Sequence, residues 1–246
     1  MIKIARLLSL IGLVVAIGCA LAALGAGLGY RIGWWQLRTG IAMLVYAFWI
    51  AAGTAAVCAI AVALSAARAN VLGMVIGLAG LAISGVTAWV PYDLRMTANA
   101  VPPIHDITTD LADPPRFVRV VALRKAEDNP AAYDGPSAGE QQRKGYPDLA
   151  PLVLKAPRDK VFTAAQGALA SMGLELVDAD AAQGRIEATA TSLLFGFKDD
   201  VVVRIIDDPG GTKVDVRSKS RVGRSDLGVN ASRIRTFQAK LKAAAG

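Results

Sequence analysis

The residues best suited to chemistry are basic side chains that alternate along the last predicted strand, residues 213–220. Because successive side chains of a strand point to opposite faces, Val214 and Val216 would face a core, and the charged residues that alternate with them would lie on the other face. Such a face could bind an anion such as a lipid headgroup or an envelope polymer. The alternative is a solvated face whose own carboxylates offset part of the charge. The candidate ligand-binding residues on this face are Arg185, Arg204, Arg217, Lys219 and Arg221.

A second candidate is the polar segment 223–230, which precedes the last predicted helix and contains Arg224, Asp226 and Asn230. Amide groups at a helix N-terminus can bind an anion, and Arg224 would add positive charge. Asp226 could instead cap the helix and occupy the same amide hydrogens. Both interpretations remain open at this point.

The sequence predicts no catalytic residue, metal ligand or cofactor. His105 is the single histidine and is followed by Asp106, but neighbouring side chains of an extended chain point apart. Cys19 and Cys58 fall inside apolar runs, so neither a zinc site nor a disulfide framework is expected. No nucleophile motif such as G-x-S-x-G accompanies them.

Three uncharged runs, residues 7–29, 39–67 and 69–92, predict a transmembrane region over residues 1–95. A cleaved signal peptide is the alternative for the first run, but the chain stays apolar for ten residues after Cys19. The net charge of +7 is concentrated here, since residues 1–95 carry six basic residues and one acidic residue. Basic residues of this kind flank membrane helices, so no nucleic-acid partner is predicted.

The three spans predict a multi-pass protein of the inner membrane. Basic residues flank both sides of it, Lys3, Arg6 and Arg68 on one side and Arg31, Arg38 and Arg95 on the other. Because the first helix usually dominates, we expect the N-terminus in the cytoplasm and the C-terminal domain on the periplasmic side. Gly73, Gly77 and Gly80 predict close helix packing, either within the chain or in a homodimer.

Residues 96–150 are rich in proline, which predicts an extended connector with one candidate strand at 117–123. Residues 151–246 predict a soluble α+β domain in the order strand, helix, several strands, helix. We therefore expect an antiparallel sheet with both helices on one face.

Five segments carry a family resemblance: residues 102–110, 146–149, 184–190, 195–200 and 217–233. Together they resemble the domain-of-unknown-function family numbered 1499, found in bacterial membrane or envelope proteins and in thylakoid relatives. The resemblance covers residues 101–246 and implies a non-cytoplasmic domain. It implies no reaction, cofactor or catalytic residue.

We interpret the chain as a membrane-anchored, non-enzymatic binding or assembly module of the bacterial cell envelope. Its expected partners are the lipid bilayer and an anionic lipid or envelope polymer. One alternative is an envelope hydrolase or transferase that uses Asp106, Asp226 or Arg224 on a lipid-linked substrate. Another is a structural subunit that binds another membrane protein through its helices.

Overall fold

The computed structural model describes residues 2–245, which form two compact units. The first unit comprises the chain up to Thr97 together with Leu193–Gly196. The second comprises Ala98–Ser192 and Phe197 onward. This division separates the apolar helices from the sheet.

Three helices of 30 residues form the first unit: α1 (Ile2–Arg31), α2 (Leu37–Ala66) and α3 (Val71–Ala100). Each is about 45 Å long at 1.5 Å per residue and apolar enough to cross a membrane. The predicted membrane region of three spans is confirmed.

Small residues line the helix contacts, while large aliphatic side chains face outward, as expected for helices packed in lipid. Gly73, Gly77 and Gly80 are all buried. The Ser9 hydroxyl donates a hydrogen bond of 2.8 Å to the carbonyl of Gly73, so α1 and α3 approach closely. This glycine face of α3 therefore packs inside the chain.

The second unit contains an antiparallel sheet in the order β1-β6-β5-β4-β3, with β2 also paired to β6. The strands are β1 (Asp106–Thr108), β2 (Leu152–Leu154), β3 (Glu175–Asp180), β4 (Arg185–Thr191), β5 (Lys198–Asp208) and β6 (Gly211–Ser220). β6 is long enough to pair with β2 near its start and with β1 near its end. The expected antiparallel sheet is confirmed.

One face of this sheet packs against α5 (Arg158–Ser171) and α6 (Val229–Ala245). Val203, Ile205 and Val216 on the sheet form a core with Phe162 on α5 and Phe237 on α6. The α+β arrangement with both helices on one face is therefore confirmed.

Residues 98–150 differ from the extended connector expected from the sequence. They belong to the second unit and contain β1, a 3₁₀ helix (Val120–Leu123) and α4 (Pro136–Gly145). The candidate strand at 117–123 is partly this 3₁₀ helix. Prolines here prevent long regular elements, but Phe117 and Val120 still pack on Val202 from the sheet face opposite α5 and α6.

Candidate functional site

The strand register places charged side chains on the sheet face opposite α5 and α6. Arg204 lies beside Asp215 on β6 and beside Arg185 on β4. The alternation expected for β6 is therefore present, with Val214 and Val216 in the helix-side core. We call this the charged face and define it by its side chains: Asp106, Arg185, Glu187, Asp200, Arg204, Asp215, Arg217 and Lys219.

Arg217 forms a two-pronged ion pair at the centre of the charged face. Its Nε and Nη2 atoms donate to the two carboxylate oxygens of Asp106, each at 2.8 Å. It also donates to the carbonyls of Pro115 at 3.2 Å and Ala131 at 3.0 Å. Arg217 is 2% exposed and Asp106 is 0% exposed, so both charges have lost their hydration. The hydrogen bonds of this bidentate geometry offset the free-energy cost of that desolvation.

Lys219 lies next to this pair and is also fully buried. Its ammonium contacts Asp106 at 3.3 Å and Asp134 at 2.5 Å, and it donates to the carbonyl of Ala132 at 2.7 Å. Two of its three N–H groups therefore donate hydrogen bonds, to Ala132 and Asp134, and Asp106 adds an ion pair. His105 extends the cluster, with Nε2 at 3.3 Å from Asp134.

Asp200 is the centre of a second cluster. Arg221 binds it through Nε at 3.0 Å and Nη2 at 2.8 Å, and Arg124 binds it at 2.9 Å. The Thr189 hydroxyl donates to the same carboxylate at 2.9 Å. Arg221, a candidate ligand-binding residue, is therefore held by a carboxylate inside the fold.

Arg204 is the centre of a third cluster, in which it contacts Asp215 at 2.8 Å, Asp113 at 2.6 Å and Asp110 at 3.3 Å. Lys213 contacts Asp110 at 3.0 Å. Burial acts to raise the pKa of Asp110, but hydrogen bonds from backbone amides and from Lys213 outweigh it and lower the pKa. Asp110 is thus held in its charged form.

Arg185 and Glu187 form the fourth cluster, with Nε of Arg185 at 3.1 Å from the carboxylate. Arg185 also binds Asp178 at 2.9 Å. Glu187 is fully buried and accepts backbone amide hydrogen bonds from residues 118, 119 and 120, each at 2.8 Å. This carboxylate therefore fixes the start of the 3₁₀ helix over the sheet.

The charged face is consequently an internal layer of ion pairs rather than an open basic surface. Each of Arg185, Arg204, Arg217, Lys219 and Arg221 pairs with at least one carboxylate, and residues 109–135 contribute partners to all four clusters. Their proposed role in ligand binding stays a prediction, and the structure shows that most of their donors are already engaged.

Asp226 caps α6, which is the second interpretation offered for the 223–230 segment. It accepts from the amide of Gly228 at 2.9 Å and from that of Asn230 at 2.7 Å. Burial raises the pKa of Asp226 despite these hydrogen bonds. The Asn230 side chain donates to the carbonyl of His105 at 3.0 Å, whereas Arg224 is exposed.

Two cavities open beside the segment 113–116, on the edge of the charged face. The first, of about 460 Å³, has the Arg217 guanidinium at its base, 4.8 Å from the ring centroid of Phe117 and 5.5 Å from that of Tyr133. The second, of about 390 Å³, is lined by Arg185 and Arg204. A larger groove of about 510 Å³ beside α5 lies away from these clusters.

Arg116 lines both cavities, and sequence reasoning missed it. Its side chain is exposed, and no carboxylate within residues 2–245 forms an ion pair with it. Arg116 follows Pro114-Pro115 in a segment without helical or strand periodicity, so the sequence offered no way to infer which surface its side chain lies on. Arg116 therefore brings an uncompensated positive charge to the mouths of both cavities.

The side chains of the enzymatic alternative do not converge. Asp106 binds Arg217 and Lys219, Asp226 caps α6, and Arg224 is exposed. Within the described part of the chain, no group of three or more His, Cys, Asp or Glu residues is placed to hold a metal ion.

A family model described as "Protein of unknown function (DUF1499)" matches residues 106–241. No curated protein and no solved structure matches the chain. The matched range includes β1, the ion-pair layer, both cavities and most of α6. It begins after the three membrane helices.

Proposed function

The chain belongs to the DUF1499 family, and we propose that it is a membrane-anchored, non-enzymatic binding module of the bacterial cell envelope. Its anionic partner binds at the two cavities around Arg116. The proposal places the three helices in the inner membrane and the second unit on the periplasmic side, in agreement with Lys3 and Arg6 before the first span.

The observation that carries this proposal is the free charge of Arg116. The other arginines that line the cavities pair with carboxylates, so their field is largely cancelled. Within residues 2–245, Arg116 forms no such pair, and it lines both openings. An anion that reaches either mouth therefore meets one uncompensated guanidinium, which can bind a carboxylate or phosphate through two parallel hydrogen bonds.

The ion-pair layer contributes by holding this site in shape. Arg217, Arg185 and Arg204 are fixed by hydrogen bonds on several sides, so little side-chain entropy remains to be lost when a ligand enters. One N–H of the Arg217 Nη1 atom is left over after its contact with Pro115. The ion-pair layer thus forms a rigid base for the cavities, and the positive charge of Arg116 attracts the anion.

The test uses the full-length chain in detergent micelles or nanodiscs. Binding to vesicles of anionic lipid and to soluble polyanionic envelope polymer is measured at low and high salt. We expect binding to one of the two, weakening with salt because the free charge is exposed. Arg116→Ala should abolish the salt-sensitive part, whereas Lys160→Ala, an exposed change on α5, should leave it intact.

Absence of salt-sensitive binding to both probes, or equal binding by Arg116→Ala and the unchanged chain, would overturn the anionic-partner proposal. A single stoichiometric membrane protein recovered by cross-linking, lost on removal of residues 1–95, would favour the structural-subunit alternative instead.

The proposed orientation has its own test. Ala182 is exposed on the turn between β3 and β4, so a cysteine there should react with a membrane-impermeant maleimide in intact spheroplasts. Reaction only after lysis would place the second unit in the cytoplasm and refute the periplasmic assignment.

A further inference from the structure

Four residues that follow β4 belong to the helical unit rather than to the sheet: Leu193–Gly196. A guanidinium N–H of Arg31, at the end of α1, donates to the carbonyl of Leu193 at 2.6 Å. The rings of Tyr30 and Phe195 lie 6.1 Å apart between centroids. The end of α1 therefore holds this segment through both a polar and an aromatic contact.

Two glycines make room for the aromatic ring of this segment. A Cβ atom added to Gly27 of α1 would lie 3.0 Å from Phe195 and 3.1 Å from Leu194, closer than ordinary contact. A Cβ on Gly40 of α2 would lie 3.4 Å from the Phe195 ring. Phe195 thus occupies a notch between α1 and α2. Any side chain on Gly27 or Gly40 would fill this notch.

The sequence of α1 indicates where the notch lies relative to the membrane. Gly27 lies within the uncharged run that ends at Gly29, about 5 Å along the axis from Tyr30 at 1.5 Å per residue. Tyr30, Arg31 and the exposed Trp34 are the residue types that occupy the headgroup level at the end of a span. The segment therefore lies at the boundary between hydrocarbon and headgroups.

We propose that Leu193–Gly196 is a membrane-interface loop, with Leu193 in contact with lipid. Leu193 is 82% exposed, and an exposed leucine beside the headgroup-level residues Tyr30 and Arg31 would contact the adjoining acyl chains. The proposal follows from the contacts of the helical unit alone, so it does not depend on the anion site around Arg116.

The experiment places an environment-sensitive fluorophore on Leu193→Cys in the full-length chain in nanodiscs, with Cys19→Ala and Cys58→Ala as background. We expect blue-shifted emission, loss of quenching by aqueous iodide, and quenching by lipid that carries a spin label near the headgroup. The same label on Ala182→Cys is the control and should show water-like emission and full iodide quenching.

Emission and iodide quenching at 193 equal to those at 182 would overturn the proposal. Adding Phe195→Ala tests the notch: the label at 193 should shift toward the water-like spectrum, because the ring that holds the loop is gone. An unchanged spectrum would show that the notch does not position the loop. If Phe195→Ala fails to fold, the comparison of positions 193 and 182 still decides.

Discussion

Replacing Arg217 by methionine should unfold the charged face locally, because it leaves Asp106 buried without its two-pronged partner. Removing one member of a buried ion pair costs about 3–5 kcal/mol, more than a solvated pair would. The two carbonyls that Arg217 now satisfies, of Pro115 and Ala131, would also lose a donor. At about 1.4 kcal/mol per tenfold change, amide hydrogen exchange in β6 should accelerate at least about 100-fold.

Hydrogen exchange followed by mass spectrometry on the full-length chain in nanodiscs measures this change peptide by peptide. Arg119→Met is the matched control, since the Arg119 side chain is 68% exposed and lies 3.9 Å from Asp178. It should change stability by no more than about 0.5 kcal/mol. If Arg217→Met accelerated exchange in β6 no more than Arg119→Met, the claim that the ion-pair layer is desolvated and interdependent would be refuted.

Three further changes test other parts of the second unit. Glu187→Gln should lower the stability of residues 118–123 by about 1–3 kcal/mol, because a side-chain amide cannot accept all three backbone hydrogen bonds as well as a carboxylate does. The amide hydrogens of these residues should then exchange faster. Asp226→Ala should cost about 1 kcal/mol and loosen the first turn of α6, seen in the exchange of that turn alone. The pKa of Asp110 is lowered in the fold, so its contribution is present above the unfolded value of about 4 and is lost as pH falls through the folded value. Asp110→Asn should therefore flatten the loss of stability between about pH 5 and pH 3 in urea unfolding; an unchanged slope would contradict this assignment.

Much of the architecture follows from local patterns. An uncharged run such as residues 7–29 has one favourable structure in a bilayer, because a helix satisfies every backbone group within itself. The Pro209-Gly210 pair is typical of a tight turn, and it joins β5 to β6. The buried stripe of α6, including Ile234 and Phe237, followed from its 3.6-residue period.

The alternation of β6 showed which side chains share a face but not what lies over that face. The sequence allowed an open basic surface, whereas Arg217, Arg204 and Lys219 each pair with a carboxylate from residues 106–134, about a hundred positions away along the chain. Prolines had marked that region as a connector, since they suppress the periodicity by which packed elements are recognised.

The amino-acid sequence by itself therefore determined the three spans, the order of strands and helices within residues 151–246, and the polarity of the sheet faces, because these depend on spacing between near neighbours. Only the tertiary structure decided that the charges of the sheet neutralise one another and that no carboxylate of the described residues pairs with Arg116. Charge pairing depends on distances of 3–4 Å between atoms, and only the folded chain brings residues a hundred positions apart within that range.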